Sequence, residues 1–192
     1  MKTIFIIHGW GGSPNEAIHK WLKENLEQKG YKVIAPEMPD TDEPHIDVWV
    51  NKLKEIINPN EEVVLVGHSI GCQAILRYLE DLPGEQKVGG VVLLAPWTNL
   101  NMVAIEEEGE ESVAVAREWI DSPIDFEIIK GHIKGKITAI FSDDDPVVPL
   151  HEKEIFAEKL GAEIIIEHKK EHFTEEGGVV ELASLLNAVN KV

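Results

Sequence analysis

A single cysteine, Cys72, occurs in 192 residues, which excludes an internal disulfide and any cysteine-rich zinc site and fits a reducing compartment. Free cysteine is among the most buried residue types, so Cys72 is expected to pack as a small apolar side chain. No apolar run approaches the ~18 residues that a membrane-spanning helix needs. The opening MKTIFIIHGW has a short apolar run followed by glycines rather than a cleavage site, so no leader is expected there. A cytoplasmic protein without a membrane partner is the expectation. Cations are scarce: 18 Lys and Arg stand against 35 Asp and Glu, a formal net charge of −17. Nucleic-acid affinity rests on cationic contacts, so no nucleic-acid partner is expected. The acidity reads as a solubility device, and its densest run, Glu106 to Glu111, as a solvated face. Also missing are internal repeats, low-complexity segments, HExxH, G-x-G-x-x-G and a P-loop lysine.

What is present starts with an apolar strand that runs straight into a serine. Val63 to Val66 is a β-branched and aliphatic run, as expected of a strand buried on both faces of a parallel sheet. Gly67-His68-Ser69-Ile70-Gly71 follows, and then Ala74, Ile75, Tyr78, Leu79 and Leu82 recur at helical spacing until Pro83-Gly84 stops them. A bare G-x-S-x-G arises by chance in about one chain in fifteen of this length; the strand before it and the helix after it give it meaning. Such a turn needs small flanking residues and aims helix N-terminal N–H groups at a developing oxyanion. His68 is expected to pack in the elbow rather than to act as a second base.

The rest of the chain alternates between the two periods. Strands are expected at residues 3–7, 31–35, 63–66, 88–95, 136–141 and 163–167. Helices are expected from Ser13-Pro14 to Gly30, over Val48 to Ile57, after Ser69, and at about 150–160 and 179–189. This is a single α/β unit spanning 1–192: a three-layer, doubly wound, mostly parallel six-stranded sheet. The stretch 97–135 is too long for a simple connection, carries helical signals around Val113 to Ile120, and is expected to form a small cap near the serine.

A serine hydroxyl needs a base to take its proton and an acid to orient that base. Both residue types follow Ser69, each just past a strand: Asp143-Asp144-Asp145 and His172. The order Ser, Asp, His and the placement at carboxyl ends of parallel strands match a strand-turn-helix hydrolase. His168 and His172 are four apart, but the strand signal before them argues against a helical metal pair, so neither metal nor cofactor is expected.

These motifs resemble the α/β-hydrolases, and among them the small serine hydrolases grouped with YdeN and retinoblastoma-binding protein 9. The resemblance runs through His8-Gly9-Trp10-Gly11-Gly12, the serine elbow, Ala95-Pro96, Ser142 to Pro149, and His172-Phe173. It implies Ser69 as nucleophile, His172 as base and Asp145, immediately before Pro146, as the acid, with Asp144 the other candidate. Ile70 follows the nucleophile and is one oxyanion donor; the resemblance makes Trp10 the second, with Gly11 as the substitute. Where the family often has glycine before the histidine, this chain has Glu171. Candidate pocket residues are His8, Gly9, Trp97, Trp119, Val147 and Phe173. The implied activity is cofactor-independent hydrolysis of a small carboxylic ester, with thioester and amide open, by a monomer or homodimer. The alternative is a protein-binding module on a hydrolase scaffold, although no Leu-x-Cys-x-Glu sequence is present.

Overall fold

The computed structural model describes residues 2–59 and 62–192; the expectation touching Met1, in the opening MKTIFIIHGW, lies outside them. The strands are β1 (Thr3–Ile7), β2 (Lys32–Ile34), β3 (Val63–His68), β4 (Gly90–Leu94), β5 (Ile137–Ser142) and β6 (Glu163–Glu167). They form one sheet in the order β2-β1-β3-β4-β5-β6, and every pairing is parallel. Parallel neighbours require crossovers, and helices supply them: α1 (Ala17–Gln28), α2 (Ile46–Ile56), α3 (Ile70–Glu80), α4 (Met102–Glu108), α5 (Glu110–Ile120), α6 (Phe126–Gly131), α7 (Glu152–Leu160) and α8 (Ala183–Lys191).

Burial follows from that layering. Every residue of β1, β3, β4 and β5 is buried, because helices cover both faces of the central strands. The edge strand β6 is only partly covered and carries Glu163 and Glu167 at its ends, charges that discourage pairing with another chain. Helix α1 packs with α8, while α2, α3, α6 and α7 pack in succession. The chain leaves β1 for β2 on one side and then crosses to β3 on the other. That reversal opens a crevice above the carboxyl ends of β1 and β3, where open α/β sheets bind ligands.

Boundaries moved where turn chemistry outcompeted periodicity. The helix expected from Ser13-Pro14 begins at Ala17, because Asn15 N donates to Ser13 Oγ and Glu16 N to Ser13 O. The last helix begins at Ala183 rather than 179, since Val179 N closes a turn onto Thr174 O and Gly178 takes φ +77°. The 97–135 stretch holds three helices, with α4 and α5 separated at Gly109, whose φ of +119° suits glycine. Among the described residues no helix is long and apolar enough to cross a membrane.

Arg77 ties α3 to the end of α5. Its guanidinium donates to Trp119 O at 2.7 Å and Ser122 O at 2.6 Å, bonds the Gln73 side chain, and lies 5.3 Å from the Trp119 ring centre. Burial pulls this group down to about 10, so it stays charged at neutral pH. Arg77→Met leaves these acceptors without a donor. We expect it to lower the free energy of unfolding by about 2–4 kcal/mol, measured by urea denaturation.

Candidate active site

Ser69 sits between β3 and α3 at φ +54° and ψ −120°, a conformation that a non-glycine residue holds only when its surroundings over-determine it. They do so here. Ser69 N donates to Leu94 O and Cys72 N donates to Ser69 O, both at 2.9 Å. A side chain at residue 71 would place its Cβ 2.5 Å from Ile7 O and 2.6 Å from His8 O, and one at residue 67 would stand 2.8 Å from Cys72 N. Both elbow glycines are therefore demanded by close backbone approach. Cys72 is buried, donates to Leu94 O at 3.3 Å, and has its thiol pushed far up by that burial, so it is inert packing.

Ser69 Oγ lies 2.9 Å from His172 Nε2, and His172 Nδ1 lies 2.8 Å from Asp145 Oδ2. Asp145 is 2% exposed at its side chain, and its other oxygen accepts from Val147 N at 2.8 Å and Val148 N at 2.9 Å. The three consecutive aspartates have separate partners. Asp144 accepts from Ser142 Oγ at 2.7 Å and Glu171 N at 2.9 Å. Asp143 takes the exposed His168 ring at 2.6 Å and Lys169 N at 3.0 Å. His168 and His172 thus face different carboxylates and do not converge. Glu171 and Phe173 flank His172 with φ of +44° and +59°, so Glu171 adopts the left-handed backbone that a glycine would take there.

The β1 loop completes the mouth of the site. Gly11 N is already donated to Thr41 O at 2.8 Å. Trp10 N and Ile70 N make no such bond among the described residues, so both main-chain groups stay free to donate. A cavity of about 280 Å³ opens over the hydroxyl, with Trp97, Leu100, Ile105 and Val147 on its apolar side and Glu16 and Glu108 among its polar groups. Gly9, Trp97 and Val147 line it as expected from sequence.

Three candidate pocket residues lie elsewhere. His8 is fully buried, with Nδ1 donating to Gly9 O at 2.9 Å and Nε2 accepting from Met38 N at 3.1 Å. These bonds define a neutral tautomer, and burial lowers its basicity further. Trp119 donates to Pro44 O at 2.8 Å and packs edge-on against Trp49, fastening α5 to α2. Phe173 is fully buried and packed in the core beneath the His172 loop. Sequence reasoning missed the other lining residues, Glu16, Leu100, Ile105, Glu108, Ser112 and Thr174. The signals at hand were the expected cap at 97–135, which holds Leu100, Ile105, Glu108 and Ser112, and the three-residue spacing of Glu16 and His19.

His68 is 4% exposed, donates from Nε2 to His172 O at 2.9 Å, and has its ring centre 5.3 Å from that of His172. Burial, with the nearby His172 and His19, holds it well below the usual imidazole range, so it is neutral. Burial alone would raise the Glu16 carboxyl, but the His19 and His8 rings and the Ser13 main chain together hold it below its usual value.

Comparison with known proteins follows the same outline. The family model described as Serine hydrolase matches residues 4–190. The protein YdeN of Bacillus subtilis (strain 168) is 28% identical over 182 residues, 94% of this chain and 90% of that protein. Serine hydrolase RBBP9 of Rattus norvegicus is 27% identical over 167 residues, 86% and 78% of the two chains. The crystal structure of the B. subtilis ydeN gene product superposes with a TM-score of 0.86 at 26% identity, covering 99% of this chain and 97% of that one.

The elbow geometry is open to a direct test. Gly71→Ala forces Ile7 and His8 away from α3 and displaces Ser69. We expect kcat/KM toward a hydrolysed ester to fall by about 100-fold, the scale of a 1 Å misplacement, with a lower melting temperature by circular dichroism.

Proposed function

The chain belongs to the serine hydrolase family, and from that premise we propose that it cleaves a small carboxylic ester through an acyl-enzyme formed on Ser69. The observation that carries this reading is the unbroken relay from Ser69 Oγ through His172 to Asp145 at the floor of the cavity. His172 Nε2 takes the hydroxyl proton as Oγ attacks the carbonyl carbon, and Asp145 holds the other ring nitrogen protonated and steadies the imidazolium. The tetrahedral oxyanion sits against Trp10 N and Ile70 N, which make no other hydrogen bond among the described residues. Collapse expels the alcohol with the proton from His172. A water then repeats the sequence on the acyl-enzyme, with His172 again the base, and returns the carboxylic acid and free Ser69.

Asp145 is assigned over Asp144 because its two oxygens divide the work: one meets His172, the other two main-chain N–H groups. The Asp144 carboxylate instead fastens the turn before His172 to the end of β5. The cavity falls just below the roughly 300–1,000 Å³ of drug-sized sites, which favours a small substrate. Its apolar wall of Trp97, Leu100, Ile105 and Val147 suits a short acyl chain.

Steady-state hydrolysis of short p-nitrophenyl esters tests the roles. Ser69→Ala is expected to reduce turnover to the solution background. Asp145→Asn is expected to lower kcat by about 10,000-fold, because the imidazole loses its partner and the required tautomer. Asp144→Asn is expected to cost far less, acting only through loop order. Equal losses at residues 144 and 145 would contradict the assignment of the acid.

A further inference from the structure

Glu16, His19 and His68 converge at the edge of the cavity, and one ligand-competent atom from each lies within 4.8 Å of the other two. Glu16 is the N-cap of α1 and His19 follows three residues later, so both project from one face; His68 comes from the end of β3. The hydrogen bonds around the two imidazoles determine where their lone pairs point. His68 Nε2 faces His172 O at 2.9 Å; a carbonyl only accepts, so this nitrogen carries the proton and Nδ1 keeps a lone pair. His19 Nδ1 likewise faces Ser13 O at 3.2 Å and is the protonated nitrogen, which leaves Nε2 bare. Glu16 Oε2 stands 3.0 Å from His19 Nδ1 without the alignment of a hydrogen bond. Both rings are nearly sealed, His19 at 2% and His68 at 4% exposure.

His68 Nδ1, His19 Nε2 and Glu16 Oε2 are all buried without a hydrogen-bond partner among the described residues. An orphaned buried polar atom costs about 1–3 kcal/mol. The two imidazole nitrogens lack any donor or Lewis acid and Glu16 Oε2 has only the unaligned His19 Nδ1 beside it, so the convergence of these three residues points to a shared ligand. The catalytic relay leaves these three atoms unused.

We propose that Glu16, His19 and His68 bind a divalent first-row transition metal, with Zn²⁺ the best match to the donor set. Two neutral imidazoles and one carboxylate form a three-ligand zinc set that leaves a fourth position for water. Glu16 and His68 line the cavity, so the ion has an entry path from the cavity that also holds Ser69 and His172. No electron changes hands on binding; the three protein donors replace waters of the hydrated ion, and no proton need leave two neutral imidazoles and a carboxylate. A cation held on His68 lies one ring away from His172 and disfavours the imidazolium that His172 forms during turnover. Zinc occupancy therefore inhibits the enzyme. Only this last consequence rests on the hydrolase reading.

The deciding experiment is titration of metal-free protein with Zn²⁺ in competition with a chromophoric chelator. One site per chain is expected. Loss of an outer-shell partner costs metal sites roughly 10–100-fold in affinity, so His19→Gln and Glu16→Gln are each expected to weaken binding by at least about 100-fold. His168→Gln, at the exposed pair with Asp143, is expected to leave affinity unchanged. Circular dichroism checks each variant's folding; should His19→Gln not fold, Glu16→Gln, whose side chain is 32% exposed, decides alone. In the wild type, Zn²⁺ is expected to suppress ester turnover and a chelator to restore it. Absence of one-to-one binding, or zinc retained by a folded Glu16→Gln, overturns the site. A chain that binds zinc but never turns over an ester contradicts the hydrolase reading and leaves the metal site standing.

Discussion

Helix α3 can start against the end of β1 only because residue 71 has no side chain, and the whole site depends on that approach. The contact fixes the β3–α3 turn, and the turn holds Ser69 in a backbone conformation that serine does not choose by itself. Strain there is offset by the buried sheet beneath it, whose central strands are covered on both faces. The result is a serine hydroxyl at the start of a helix, the placement that the proposed mechanism needs for a nucleophile with main-chain N–H groups beside it.

The histidine side of the site is held by a different device. The loop carrying His172 is bound to the end of β5 by Ser142 and Asp144 and to β3 by the His68 ring, while buried Phe173 anchors it from below. Glu171 and Phe173 accept left-handed backbone at this spot, a cost that such a network can sustain. A run of three aspartates thus divides its labour: an exposed ion pair, a loop fastening and a partner for the imidazole. A His68 ring tilted against that of His172, and bonded to its main chain, couples the cluster with Glu16 and His19 to the same imidazole.

Much of this was readable in the chain because parallel strands and post-strand residues leave strong local marks. Val63 to Val66, the two elbow glycines and the order of serine, aspartate and histidine each follow from constraints on a few neighbouring residues. The sheet was legible for the same reason, and its outcome is fully rather than mostly parallel. His8, Trp119 and Phe173 were harder, since an aromatic or imidazole ring packs against a core as readily as it lines a pocket. Their bonds to Met38, Pro44 and the surrounding core come from distant segments. The division at Gly109 was hidden by the glutamate run around it, and the meeting of Glu16 and His19 with His68 depends on a β1 loop whose path no local pattern encodes.

The central claim is that Ser69 is a nucleophile activated by the His172–Asp145 pair. Intact-protein mass spectrometry after brief exposure to a fluorophosphonate, with peptide mapping of the adduct, tests it most directly. The account expects one adduct per chain, located on Ser69, lost in Ser69→Ala and strongly slowed in His172→Ala. An adduct on another residue, or labelling unchanged in Ser69→Ala, would contradict it.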